Sequence, residues 1–203
     1  TPTPSPTPSP TPSGPITVNF TSNALEDGYV TEKNETAATG RNTSTSASTI
    51  RIGDNRDKQM QGFLSFDTSS LPAGATITSA EIQIRQSSIN GTNPFTSHGT
   101  LQADIMTGGF GGDPALDGSD FEAPATANAV ATFAPPAGDG TWTVGALNTA
   151  GLAAINHNGP TQFRLAFTLD DNNNGSNDYV NINSGDATTP EYQPLLVVTY
   201  TLN

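Results

Sequence analysis

Cysteine is missing altogether from the 203 residues. Disulfide staples and thiolate catalysis are thereby excluded, and any assignment to an oxidising compartment has to come from other features. Cationic side chains are nearly as scarce: seven Lys and Arg stand against nineteen Asp and Glu, for a formal net charge of −12. No Lys or Arg falls between Arg85 and Arg164, and none follows Arg164. Little is left to neutralise phosphates, so a nucleic-acid partner is not expected. The acidic excess serves solubility, and it also suits cation-dependent adhesion or stability. Aromatics are few, with one Trp and four Tyr. No apolar run approaches about eighteen residues, so no membrane span is expected. The first residues lack the form of a secretory leader. The expectation is that processing removed one or that the sequence is a piece of a longer product.

Catalytic signatures are absent too. There is no G-x-S-x-G elbow, no H-E-x-x-H and no phosphate loop. His98 and His157 stand in Asn/Gly-rich, loop-like surroundings with no paired ligand spacing, and both are read as exposed. An enzyme is not expected.

What the chain does have is Thr, Ser, Asn and Gly in abundance, with only 13% charged residues. That mix suits short strands with polar outer faces better than long helices. Residues 1–13 read TPTPSPTPSPTPS. Proline alternating with small hydroxyl residues favours polyproline II and cannot build a packed core. So extended, the stretch would span roughly 40 Å at about 3.1 Å per residue. Residues 1–15 are read as a tail or linker, and 16–203 as one domain large enough for a sizeable core.

Within that domain the clearest stretch is 49–85. Leu64 and Phe66 alternate with Phe63 and Ser65, then Ala80, Ile82 and Ile84 with Glu81, Gln83 and Arg85. A period of two sends such sets to opposite faces of a sheet. Ile16–Phe20, Gly28–Thr31, Thr49–Ile52, Thr100–Met106, Thr141–Val144, Asp178–Asn183 and Pro194–Leu202 read as further strands. In 162–169, Phe163, Leu165, Phe167 and Leu169 are expected on one face. Residues 32–48 and 87–99 read as polar loops. Leu147–His157 is the one helix candidate, with Thr149 as its cap. The expected fold is therefore all-β, an antiparallel two-sheet β-sandwich of jelly-roll type with one short helix and a proline-rich extended N-terminal tail.

Three features invite a chemical reading. Residues 107–140, rich in Gly and carrying Asp113, Asp117, Asp120 and Glu122, form a long irregular insertion. Such a segment is either functional or a cover folded over a sheet, and solvated loop acids account for its carboxylates as well as a dedicated site does. The run from Asp170 to Asp178 places oxygen side chains at Asp170, Asn172, Asn174 and Asp178, with Gly175 at the turn. This matches the first nine positions of a calcium loop, but Asn181 stands where a bidentate carboxylate is expected. A hairpin turn would have nearly the same composition, and both readings stay open. Calcium is the one cofactor these residues suggest, and none is expected to be required. Lastly, Asn-x-Ser/Thr triplets begin at Asn19, Asn34, Asn42, Asn90 and Asn174. Together with Thr1, Thr3, Ser5, Thr7, Ser9 and Thr11 of the tail, they are candidate attachment points for covalent glycans.

The pieces Phe63-Leu64-Ser65-Phe66-Asp67-Thr68-Ser69-Ser70-Leu71-Pro72, Ala75-Thr76-Ile77-Thr78-Ser79-Ala80 and Pro194-Leu195-Leu196-Val197-Val198-Thr199-Tyr200 resemble the DNRLRE-type domains. So does Gln162-Phe163-Arg164-Leu165 followed by Asp170-Asp171-Asn172. These are secreted bacterial β-sandwich modules related to a class of carbohydrate-binding modules. The resemblance spans roughly residues 16–203. It implies an extracellular, non-catalytic module, sometimes sugar-binding, and it carries over no binding residue.

Two roles follow as expectations, the first as the leading one and the second as its alternative. In the first, the chain is a structural subunit of a cell-surface fibre, a homopolymer in which the strand carrying Ile16, Val18 and Phe20 and the segment before it contact a neighbouring copy. In the second, it is a carbohydrate-binding or adhesive module tethered by the proline-rich linker, with a polysaccharide partner. The poverty of aromatics favours the first; the resemblance favours the second.

Overall fold

The computed structural model describes residues 14–202. The tail of residues 1–13 and its six Thr and Ser glycan candidates lie outside the described residues. Twelve strands run in the order β1 Ile16–Thr21, β2 Gly28–Glu32, β3 Gly40–Ser44, β4 Thr49–Asn55, β5 Lys58–Asp67, β6 Ala75–Asn90, β7 Leu101–Thr107, β8 Ala127–Phe133, β9 Trp142–Ala146, β10 Pro160–Phe167, β11 Asn177–Asn183 and β12 Leu195–Leu202. Two short helices, α1 Pro94–Ser97 and α2 Thr149–Ala154, interrupt them.

Every pairing of these strands is antiparallel, and they join into one curled sheet with the path β1-β12-β6-β11-β4-β5-β10-β7-β8. β2 pairs with β5 and β3, and β9 with β6. The curl depends on β6, a 16-residue strand. One of its edges is taken by β12 over Ala75–Gln83 and then by β11 over Gln86–Asn90, while β9 takes the other edge over Glu81–Arg85. A strand that changes partners along its length joins the β12 end of the sheet path to the β11 end and lets the sheet curl.

The period-two pattern explains what the curl encloses. Ile82 and Ile84 of β6, Leu196 and Val198 of β12, Leu64 and Phe66 of β5, Phe163 and Leu165 of β10 and Ile105 of β7 are all essentially without solvent contact and form one cluster. Phe66 and Phe163 meet edge to face at 6.0 Å, an arrangement favoured by the ring quadrupoles. Full burial of each such side chain stabilises by roughly 1.5–3 kcal/mol.

Several expectations change. The segment read as a polar loop over 32–48 contains β3, whose residues are Gly, Arg, Asn, Thr and Ser. Pairing with β2, not hydrophobic alternation, makes it a strand. The loop expected from residue 87 starts later, because β6 runs on to Asn90 in register with β11. Leu169 does not join Phe163, Leu165 and Phe167 inside; β10 ends at Phe167 and Leu169 is 53% exposed. The cap of α2 is Asn148, whose Oδ1 accepts from Gly151 N at 3.0 Å, one residue before the expected Thr149.

The insertion after β7 proves to be a cover, and it contains β8. Phe63, placed by the alternation on the face opposite Leu64, is 1% exposed because this segment lies over it. Phe63, Phe110, Phe121, Val30 and Ala123 make a second, smaller cluster, with Phe63 and Phe110 edge to face at 5.6 Å. Arg164 fastens the cover. Its Nη2 binds Asp104 Oδ2 at 2.8 Å, and its Nη1 donates to the carbonyls of Asp120, Phe121 and Ala123. Gln162 adds two more ties, accepting from Phe110 N at 2.9 Å and donating to Pro114 O at 2.7 Å. Gly40 of β3 permits the close approach: a Cβ there would stand 2.2 Å from Gly118 O.

Candidate ligand-binding face

Large exposed apolar side chains are few among the described residues: Leu25, Leu169, Trp142, Val144 and Tyr192. The last three fall on one face. β9 alternates outward and inward, so Trp142 and Val144 point the same way, with Thr143 buried between them. Register places Arg85 opposite Trp142, Gln83 opposite Val144 and Glu81 opposite Ala146. Directly opposed residues of an antiparallel pair share a face, so these rows form one outward surface. Beyond β6 the surface continues over Leu195, Val197 and Thr199 of β12, and then over Thr21, Asn19 and Thr17 of β1.

Arg85 ties the aromatic end together. Its guanidinium lies 3.7 Å from the centroid of Tyr192, and its Nη1 donates to Asn183 Oδ1 at 3.1 Å. A cation–π contact this close orients both partners without removing them from solvent. Next along β6, Gln83 Nε2 donates to Glu81 Oε1 at 2.7 Å. The result is a broad, polar sheet face with a Trp, a Tyr and a stacked guanidinium at one end. Sugar rings stack their apolar C–H faces on such aromatics, while amide and carboxylate groups beside them meet the hydroxyls. Trp142 is 39% exposed, on a strand whose pairing partner among the described residues is β6.

Two shallow clefts adjoin this region and meet at Leu152 of α2. One, of about 330 Å³, is lined by Thr78–Glu81, Ala146, Leu147, Leu152, Val197 and Thr199. The other, of about 440 Å³, involves Ala75, Ile77, Thr149, Leu152, Ile155 and His157.

The Asp170–Asp178 run does not converge as a ring of oxygens. Asp178 is buried, and its carboxylate is occupied by donors: Thr92 N at 2.5 Å, Asn172 Nδ2 at 2.7 Å and Asn174 Nδ2 at 2.7 Å. Burial pushes this carboxyl up, but the donors outweigh it and hold it below the usual carboxylate value. Asp170 is exposed and accepts from Asp171 N. Among the described residues, no three or more His, Cys, Asp or Glu side chains group as a metal centre.

Asn19, Asn34, Asn42, Asn90 and Asn174 are all exposed. Ile16, Val18 and Phe20 are half-buried, packed against the core from the end strand of the sheet path. His157 is half-buried and its Nδ1 lies 3.0 Å from Pro72 O. His98, expected on the surface, is wholly buried between Asp54 and Ser97. Neither cleft described above reaches it. Sequence spacing held no sign of this, since Asp54 lies 44 positions away.

No known family model matches the chain, and no curated protein matches it.

Proposed function

We propose that the chain is a non-catalytic, extracellular two-layered β-sandwich module of the DNRLRE type that binds a polysaccharide along the outward face of β9, β6 and β12. The observation that carries this reading is the gathering of Trp142, Val144 and Tyr192 around Arg85 on one sheet face, when exposed large apolar side chains are otherwise scattered singly. A broad face suits an extended polymer chain better than a small free sugar, which needs an enclosing pocket. Affinity electrophoresis of the purified chain through gels containing cellulose derivatives, xylan, mannan, β-glucan or alginate tests it. Retardation by at least one polymer, lost in Trp142→Ala, is the expected result. Unretarded migration in all of them rejects it.

A second reading has its own support. β1 is an end strand, and its outer edge has no strand partner among the described residues. Its half-buried Ile16, Val18 and Phe20 leave apolar surface at that edge. An edge of this kind accepts an added strand from another copy, as a fibre subunit would require. Electron microscopy of concentrated protein separates the readings: uniform filaments support assembly, and dispersed monomers that still bind polymer support the first.

A further inference from the structure

Two carboxylate oxygens are buried with no hydrogen-bond partner where the turn after β1 meets the turn after β11. Asp27 is 1% exposed. Its Oδ2 is well served, accepting from Ser22 Oγ at 2.8 Å and from Gly185 N at 2.6 Å. Its Oδ1 accepts from nothing, although it is buried. Asp186 follows Gly185 directly in the chain, and its Oδ2 is likewise buried and unpartnered. Because Gly185 N–H binds Asp27 directly, the next residue, Asp186, belongs to the same junction of turns. The ion pairs among the described residues are His98–Asp54 and Arg164–Asp104, so no side-chain cation offsets this pair.

An unpaired buried carboxylate oxygen is costly, and this junction of two turns carries two of them. Natural structures accept such a group where something fills the gap. We propose that Asp27 and Asp186 hold a hard divalent cation of the calcium class, clamped between the 22–27 turn and the 184–187 turn. The donors are oxygen only, which suits calcium and not the softer transition metals. Two carboxylates supply a minority of calcium's six to eight oxygens, so main-chain carbonyls of the turns and water complete the shell. Turns tolerate that irregular coordination; the strict octahedron of magnesium fits them less well.

The clamp has a structural purpose. Gly185 lets the turns close, since a Cβ there would be 2.5 Å from Ser22 O and 2.9 Å from Asp27 Oδ2. Ser22 N donates to Pro194 O at 3.0 Å just beyond the last β1–β12 pair, Thr21 with Leu195. A bound ion would fix the β1–β2 and β11–β12 connections to each other and so pin the end strand β1. The place is distinct from the Asp170–Asp178 loop, where Asp178 is already saturated by donors.

Calorimetric titration of the full chain with calcium chloride, after chelator treatment and desalting, tests the proposal alongside thermal melts. Binding heat and a rise in Tm of several degrees at millimolar calcium are expected, with magnesium weaker. Asp186→Asn should weaken calcium affinity at least tenfold, as should Asp27→Asn, while Asp170→Asn leaves it unchanged. Asp186→Asn carries the test if Asp27→Asn fails to fold, because the Asp186 side chain makes none of the hydrogen bonds that Asp27 makes. No heat and no Tm shift overturns the proposal. So does calcium binding that survives Asp186→Asn and is lost in Asp170→Asn. A third contrary result is an Asp27→Asn variant more stable than the parent with no calcium response in either; that would mean the two acids simply share a proton.

Discussion

His98 and Asp54 form a pair sealed from water: Nε2 lies 2.9 Å from Oδ2, and neither side chain has any exposure. The other ring nitrogen, Nδ1, is 2.8 Å from Ser97 Oγ, and Asp54 Oδ1 accepts from Asp57 N at 3.3 Å. Burial raises the Asp54 carboxyl, and the His98 hydrogen bond and charge pull against it. The pair joins the end of β4 to the C-cap of α1, two segments far apart in sequence. Removing one partner strands the other in a dry site. His98→Ala and Asp54→Ala should each lower stability by about 3–5 kcal/mol, read as a fall in urea midpoint with the slope unchanged. A loss below about 1 kcal/mol in both would mean that water reaches the pair.

Arg164 fastens the part of the cover that precedes β8. Its guanidinium also lies 5.0 Å from the Phe110 ring, so charge, donors and a flat face all act on the same segment. Arg164→Met keeps some of the packing and removes every donor. It should leave three carbonyls and Asp104 without their partner, at a cost of about 2–4 kcal/mol. Hydrogen exchange gives the sharper readout: amides of residues 110–123 should lose protection while those of β6 and β12 keep theirs. Uniform loss across the chain would contradict a local fastening role.

Asp120 gives the cover a pH dependence. It is buried, with Asp113 and Asp117 on its own segment and Arg164 facing it from β10. Desolvation leads the other influences and raises its carboxyl to about 6. A folded value above the unfolded one means that the native state holds this proton more tightly. The stability contribution is therefore full below about pH 4 and is lost as pH rises through about 6. The contribution is on the order of 2 kcal/mol. Asp27 titrates in the same range, so the difference between parent and Asp120→Asn isolates the effect. Denaturant midpoints for the two should converge toward pH 4 and separate above pH 6, with the variant the more stable. Parallel profiles would remove Asp120 as the cause.

The extent to which these features could be read beforehand follows from the kind of signal each one leaves. Strands whose side chains alternate, such as β6, β10 and β12, announce themselves because one face is buried in the main core. β3 does not, since it is held by main-chain pairing with β2 and has no apolar row. Phe63 looked outward because alternation implies one wet face, and the sequence carries no local mark that a segment more than forty residues later covers that face. The same holds for His98 with Asp54 and for Asp27 with Asp186: each pairing spans a long stretch of chain, so only the folded register brings the partners together. Where a cluster is local in sequence, as in Asp170–Asp178, the composition was visible but the direction of its hydrogen bonds was not.

Trp142 is the most informative single position for function, because its burial and its neighbours point in different directions. A core tryptophan would be covered; this one is 39% exposed, on a strand whose one partner among the described residues is β6, opposite an arginine already stacked on Tyr192. Truncation to alanine therefore removes little packing, and a stability loss under about 1 kcal/mol is expected from an exposed site. Removing a sugar-stacking ring should instead weaken polymer binding about tenfold to a hundredfold, on the scale of about 1–3 kcal/mol for a lost aromatic contact. Arg85→Lys should weaken it less, since the ammonium cannot both lie flat on Tyr192 and reach Asn183. As the sole tryptophan, Trp142 is also the reporter: its emission should shift to the blue and become harder to quench with acrylamide when a polymer covers it. Binding that persists in Trp142→Ala, or binding that leaves this emission untouched, would place the ligand on some other face of the module.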